Sequence, residues 1–213
     1  MRIGGLQKTS FLDYPHQMAC VIFAVGCNFR CPFCHNKDLV IGKVDEISEK
    51  EIFEFLEQRK NILEAVVVSG GEPTMQKDLV LFIEKIKKIG YLVKLDTNGT
   101  NPKVLKELID KKLIDFVAMD IKNDWENYDK ATDVKSDLTK IKESVDIIKK
   151  SGIKHQFRST IVRGIHTIAM VKKMKKEFPD LVLQKFRAQN CIDPKYLEVE
   201  EWSDREWLDI TDQ

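Results

Sequence analysis

Three cysteines, Cys27, Cys31 and Cys34, stand in the run Gly26-Cys27-Asn28-Phe29-Arg30-Cys31-Pro32-Phe33-Cys34-His35-Asn36. The spacing is C-x-x-x-C-x-x-C, and no fourth cysteine follows within the next hundred residues. Thiolates hold iron–sulfur clusters, and a closed four-iron cluster takes four of them. Three from one tight loop would leave one iron with an open coordination site. Such an iron can bind a substrate or cofactor as well as pass electrons.

Other uses of these cysteines fit the run less well. A closed zinc site needs a fourth Cys or His at workable spacing, and His35 directly follows the third cysteine. A buried strand would not carry Asn28, Arg30, Pro32 and His35 together. The chain holds five cysteines, an odd number, and opens without a basic-then-apolar leader. Both features argue for a reducing compartment and against disulfides.

Four polar motifs follow apolar runs, the cysteine loop among them. Ala19–Val25 leads into the cysteine loop. Ala65–Ser69 ends in Gly70-Gly71-Glu72-Pro73, and Tyr91–Leu95 ends in Asp96-Thr97-Asn98-Gly99. Phe116–Ala118 ends in Met119-Asp120-Ile121-Lys122. Two further strands are expected over His155–Val162, which carries Arg158, and Leu181–Phe186, which Arg187 follows. Amphipathic helices separate them. Ser48-Glu49-Lys50-Glu51 reads as a capping box opening a helix to about Asn61. Asp78–Ile89 is closed by Gly90, Pro102–Lys112 follows, Leu138–Ser151 is closed by Gly152, and Thr167–Phe178 is the next. Asn123–Asp137 reads as a loop, and Trp202–Ile210 as a last helix.

Six strand–helix units with near-continuous apolar strands imply a parallel sheet covered by helices. Six are too few for a closed eight-stranded barrel. The expected fold class is therefore α/β, an open partial (βα)6 barrel, over residues 1–213 as a single domain. A doubly wound sheet is the alternative. Each polar motif lies at the carboxyl end of its strand, the end that carries the chemistry in βα barrels. Asp120 and Lys122, two residues apart, point to one side. A carboxylate and an ammonium facing inward need each other or a ligand. Arg158, among Phe157, Ile161 and Val162, needs a carboxylate. Cys20 reads as an inert buried thiol, and Cys191 as a possible fourth thiol without a second C-x-x-C beside it.

The chain has 213 residues, 43% of them hydrophobic, and a formal charge of +1. That balance predicts no general affinity for nucleic acid or an anionic membrane. No apolar run approaches ~20 residues, so no membrane span is expected, and the expected location is cytoplasmic.

The cysteine spacing, with Phe33 before the third cysteine, resembles the radical S-adenosylmethionine superfamily. The wider set Ser10, Asp13, Pro15, Phe23, Gly26, Cys27, Asn28, Arg30, Cys31, Pro32, Phe33, Cys34, His35 and Asn36 resembles its glycyl-radical-enzyme activating enzymes, especially the activating proteins of anaerobic ribonucleotide reductase. Pro15 is followed here by His16, where those proteins carry glycine. The resemblance implies one [4Fe–4S] cluster per chain, on Cys27, Cys31 and Cys34. It implies a fourth iron chelated by the amino and carboxylate groups of S-adenosylmethionine. Reductive cleavage then yields methionine and a 5′-deoxyadenosyl radical.

It also implies a lining for that cofactor: Phe33 at the adenine, with Cys34 and His35 beside it. Gly70 and Gly71 would offer carbonyls to the methionyl ammonium, with Glu72 able to pair with it. Asp96 and Asn98 would lie near the ribose, and Asp120, Ile121, Lys122 and Arg158 at the methionyl end. The implied partner is a glycyl radical enzyme, and the implied electron donor reduced flavodoxin or ferredoxin. Two other functions remain open at this point. One is small-molecule radical chemistry, as in a 7-carboxy-7-deazaguanine synthase. The other is a ferredoxin-like electron carrier, against which the missing fourth cysteine and the further strand-end motifs count.

Overall fold

The computed structural model describes residues 1–211. Seven strands take the order β1 to β7 in one open sheet. They are β1 (Ile3–Ser10), β2 (Ala19–Ala24), β3 (Ala65–Gly70), β4 (Leu92–Thr97), β5 (Phe116–Asp120), β6 (Lys154–Ile161) and β7 (Val182–Lys185). The helices are α1 (Lys37–Ile41), α2 (Glu49–Arg59), α3 (Leu79–Ile89), α4 (Pro102–Asp110), α5 (Tyr128–Thr132), α6 (Leu138–Ser151), α7 (Ile168–Glu177) and α8 (Asp204–Thr211). Short 3-10 turns occupy Pro73–Met75 and Pro194–Leu197.

All six expected strands are present, and a seventh precedes them. β1 pairs antiparallel with β2, whereas β2–β3, β3–β4 and β6–β7 are parallel. The segment expected to be a loop over 123–137 contains α5, and α1 was not expected either. Helix ends follow local chemistry. Ser48 and Glu51 form the expected capping box on α2. Gly90 and Gly152 take φ of 109° and 72°, left-handed values that stop α3 and α6 without a Cβ penalty. His16 has φ 62°, so a side-chain-bearing residue holds the backbone region that glycine favours.

The chain divides into two compact units. The first comprises Met1–Asn28, Asp38–Ala118 and Thr139–His155. The second comprises Phe29–Lys37, Met119–Leu138 and the segment from Gln156 on. In the first unit, alternate residues of β2, β3 and β4 share one face of the sheet. Toward the amino ends this face is apolar: Ala19, Val21, Ala65 and Val67 pack with Tyr14, Phe116, Phe23 and Leu92. Toward the carboxyl ends the same alternation brings up Ser69, Lys94 and Asp96. In the second unit, Ile161, Val171, Trp202 and Ile210 form a core joined by Leu183 and Trp207, which seats α7 and α8.

Candidate functional site

In the first unit, the ends of β2, β3 and β4 carry Cys27, the Gly70-Gly71-Glu72 turn and the Asp96–Gly99 turn. The two glycines are there because the backbones nearly touch. Gly71 donates its N–H to Ala24 O at 2.9 Å, and Glu72 donates its N–H to Gly26 O at 2.8 Å. A Cβ on Gly71 would lie 1.9 Å from Gly26 O, and one on Gly70 would lie 2.5 Å from Ala24 N. Gly70 also has φ 108°. Gly71→Ala must therefore push the residue before Cys27 aside. The expected cost is about 3 kcal/mol, the upper end of overpacking penalties, read as a lowered urea midpoint of the metal-free protein.

Glu72 is 1% exposed. Its Oε1 accepts from Thr74 N (3.0 Å), Thr74 Oγ1 (2.6 Å) and Thr97 Oγ1 (2.8 Å), and its Oε2 accepts from Asn98 N (2.6 Å). The carboxylate thus stitches the end of β3 to the end of β4. Burial pushes its pKa up, against the pull of these donors. Asp96 sits over Ser69 and Lys94. Ser69 Oγ donates to its Oδ2 at 3.0 Å, and Lys94 Nζ meets its Oδ1 at 2.5 Å. Lys94 is 3% exposed. Sequence reasoning passed over this buried ion pair, although Lys94 and Asp96 have the same two-residue offset as Asp120 and Lys122.

In the second unit, Asp120 lies between two cations. Arg158 Nε donates to Asp120 Oδ1 at 2.6 Å, and Lys122 Nζ to Asp120 Oδ2 at 2.8 Å. The carboxylate that Arg158 required is thus Asp120. Burial alone would raise the Asp120 pKa, but Arg158 and Lys122 overcome it and hold the carboxyl far below its usual range. Burial likewise opposes the charge on Lys122. Asp120, with Cys31 and Cys34 nearby, reverses that and raises its pKa. Cys34 itself is pushed up by burial, with the Lys122 charge acting in the opposite sense. The structure therefore brings Cys31, Cys34, Asp120, Lys122 and Arg158 into one electrostatic neighbourhood. Ile121 is buried and donates its N–H to Arg158 O at 2.9 Å, which locks the strand ends together.

The Cys31–His35 turn is held from afar. Cys34 N–H donates to Cys31 O within the turn, Asp193 N–H to Pro32 O, and Arg30 N–H to Thr132 O, each at 2.9 Å. His35 stacks on Phe186 at 5.6 Å, and its Nε2 meets Arg187 O at 2.8 Å. Asn190 Nδ2 donates to His35 O at 2.8 Å. Phe33 is buried edge-on to Phe186 at 6.3 Å.

His166, left unassigned by the sequence beyond a structural or solvated reading, is buried between Val162 and Lys122. Val162 N–H donates to its Nδ1 at 3.0 Å, so Nε2 carries the proton and donates to Lys122 O at 2.9 Å. Burial lowers its pKa and keeps the ring neutral.

None of the five cysteines is in a disulfide. Cys20 is fully buried in β2, and burial pushes its pKa up to about 12, as an inert thiol should be. Cys191 is also buried and raised by burial. Among the described residues no preformed group of three His, Cys, Asp or Glu side chains is gathered around a metal position. The donor chemistry nonetheless suits a thiolate-bound cluster. The loop supplies soft sulfur ligands, and a buried cation, Lys122, lies within electrostatic reach of two of them.

The described residues thus combine an open, mainly parallel α/β sheet, polar strand ends and a three-cysteine loop. The radical SAM superfamily profile matches residues 21–177, and the chain belongs to that superfamily. Its members use a [4Fe–4S] cluster and S-adenosylmethionine. A protein of Methanocaldococcus jannaschii, itself proposed to be a glycyl-radical enzyme activating enzyme, is 35% identical over 202 residues, 91% of this chain and 83% of the relative. The pyruvate formate-lyase-activating enzyme of Listeria monocytogenes is 34% identical over 132 residues, 57% of this chain and 53% of that protein. The crystal structure of Streptococcus suis SuiB bound to S-adenosylmethionine superposes with a TM-score of 0.67 at 15% identity, over 90% of this chain and 45% of that one. This last likeness is one of fold, and it places the open sheet among the partial barrels of radical SAM enzymes. Among the described residues no helix is long and apolar enough to cross a membrane.

Proposed function

We propose that the protein is a radical S-adenosylmethionine activase that removes a hydrogen atom from the Cα of a glycine in a partner enzyme. Anaerobic ribonucleotide reductase is the first candidate partner, and a pyruvate formate-lyase-like enzyme the second. The observation that carries this reading is the Asp120–Lys122–Arg158 set beside Cys31 and Cys34. The relative that matches 91% of the chain supports the choice of reaction. The whole of 1–213 is read as one radical SAM domain, of which Asp212 and Gln213 lie outside the described residues.

Each residue then has a task. Cys27, Cys31 and Cys34 would hold three irons of the cluster. When bound, cluster and S-adenosylmethionine together supply a carbon-centred radical by reductive cleavage. Lys122 and Arg158, both held on Asp120, would face the methionyl carboxylate. Gly70 and Gly71 offer main chain at close approach, and Ile121 ties the end of β5 to β6 through the Arg158 carbonyl. Asp96 and Asn98 would lie on the ribose side, and Phe33 and His35, both set against Phe186, would border the adenine. Glu72, with four donors already on its carboxylate, acts by fixing the β3 and β4 ends. The cluster would be oxygen-labile, which suits an anaerobic cytoplasm with reduced flavodoxin or ferredoxin as donor.

A glycine is a fitting target because its Cα radical is flanked by two amides and no side chain blocks approach. The hydrogen must come within near-contact of the reacting carbon, so the partner's loop must enter the site. Mixing reduced holoprotein, S-adenosylmethionine and the candidate reductase without oxygen should give a persistent organic radical in electron paramagnetic resonance. Its main hydrogen splitting should collapse when the partner's glycine is deuterated at Cα. A radical formed without the partner, or deuterium reaching 5′-deoxyadenosine only from a small molecule such as a deazaguanine precursor, would overturn the activase in favour of the synthase. No cleavage of S-adenosylmethionine at all would leave an electron carrier.

A further inference from the structure

Asn98 follows the end of β4 and is 4% exposed. Its amide can be oriented without ambiguity. The Thr100 backbone N–H can only donate, and it donates to Asn98 Oδ1 at 3.0 Å. The Thr100 hydroxyl donates to the same oxygen at 2.7 Å. With the oxygen end assigned in this way, the amino end must face the other direction. There Nδ2 donates one hydrogen to Asn28 Oδ1 at 2.9 Å and lies 3.9 Å from Cys27 Sγ. Asn28 closes the ring by donating from its own Nδ2 to Thr100 Oγ1 at 2.9 Å.

The backbone beneath the ring is fixed as well. Asn98 N–H donates to Glu72, and Ser144 Oγ on α6 donates to Gly99 O at 2.7 Å. The side chain therefore has one hydrogen committed to Asn28 and a second aimed at the sulfur. This arrangement costs no reorganisation when the sulfur gains negative charge.

We infer that Asn98 is a positioning residue that hydrogen-bonds the Cys27 thiolate and raises the reduction potential of the cluster held there. The inference rests on the reading of Cys27 as a cluster ligand. One-electron reduction adds a negative charge shared by the irons and their sulfurs. An N–H aimed at a ligand sulfur stabilises the reduced state more than the oxidised one. Asn98 thereby eases entry of the electron at the cysteine loop, a role separate from any contact with the ribose.

The test is made without S-adenosylmethionine, so that cofactor binding by Asn98 does not enter. Wild type, Asn98→Ala, Asn98→Asp and Thr100→Val are reconstituted anaerobically, assayed for iron, and titrated redox-potentiometrically by electron paramagnetic resonance. Iron content should stay at the wild-type level. Asn98→Ala should shift the one-electron equilibrium about tenfold against reduction, a midpoint about 59 mV lower. Asn98→Asp should shift it at least as far, because a carboxylate replaces the donor. Thr100→Val, which leaves Asn98 present but loses one of its anchors, should shift it the same way by less. It also decides the matter if either Asn98 variant fails to fold. Wild-type midpoints in the fully loaded variants would overturn the role of Asn98 alone. Failure of the wild type to take up iron would overturn the ligand assignment beneath it.

Discussion

Replacing any one of Cys27, Cys31 or Cys34 with alanine is expected to abolish stable cluster incorporation. Anaerobically reconstituted wild type should hold about four irons, the complement of a [4Fe–4S] cluster. Each single variant should retain close to none. The loss is large because two thiolates leave two irons open, and an open iron exchanges with solvent. Cys20→Ala and Cys191→Ala should keep the full complement. Cys20 is fully buried in β2, and its raised pKa disfavours the thiolate that metals require. Cys191 is the sharper control, because it lies near enough for Cys34 to affect its charge. Loss of iron from Cys191→Ala would make the centre a four-cysteine carrier and remove the open iron. Iron assay and the charge-transfer absorption of the cluster check every variant.

The second large effect is expected at Asp120. Asp120→Asn keeps the shape but removes the carboxylate that Lys122 and Arg158 share. Removing one member of a buried pair costs about 3–5 kcal/mol. The side chains here are 19–27% exposed, so about 3 kcal/mol is the expected loss, measured by urea unfolding of the metal-free protein at pH 7. The pH dependence gives an independent check. The folded pKa of Asp120 lies below its unfolded value of about 3.9. Its contribution is therefore fully present above about pH 4 and is lost as pH falls from there toward the folded pKa. Wild type should lose stability through that window more steeply than Asp120→Asn. Parallel slopes would mean that the carboxylate is not ionised against its two neighbours.

The strand-end motifs were legible because their signals are local. A run of β-branched residues followed by Gly-Gly-Glu-Pro or Asp-Thr-Asn-Gly marks both the strand and the turn. The offset of Asp120 and Lys122 gave their shared side before any contact was known. The same offset at Lys94 and Asp96 was overlooked because Lys94 sits inside an otherwise apolar run, where a strand reading absorbs it. β1 escaped for a different reason. Gly4, Gly5, Gln7 and Lys8 have poor strand propensity, and the need for Gly4 is tertiary: a Cβ there would lie 2.6–2.8 Å from Leu39, Val44 and Val25. The role of His166 was also hidden, since its partner, the Lys122 carbonyl, lies 44 residues away. Glu72 shows the limit of motif reading. Its position was expected, but its four donors emerge only when β3 and β4 stand side by side.

The distant anchoring of the Cys31–His35 turn bears on the order of events during synthesis. His35 is fastened by Arg187 and Asn190, residues 152 and 155 positions further along. At about 5–20 residues per second, a ribosome needs about 8–30 s to add that stretch. During that interval the nascent chain exposes its thiols without the contacts that shape their turn. Metal loading at this turn would then wait until the ribosome has passed Asn190, and chains stalled before it would be poor competitors for iron.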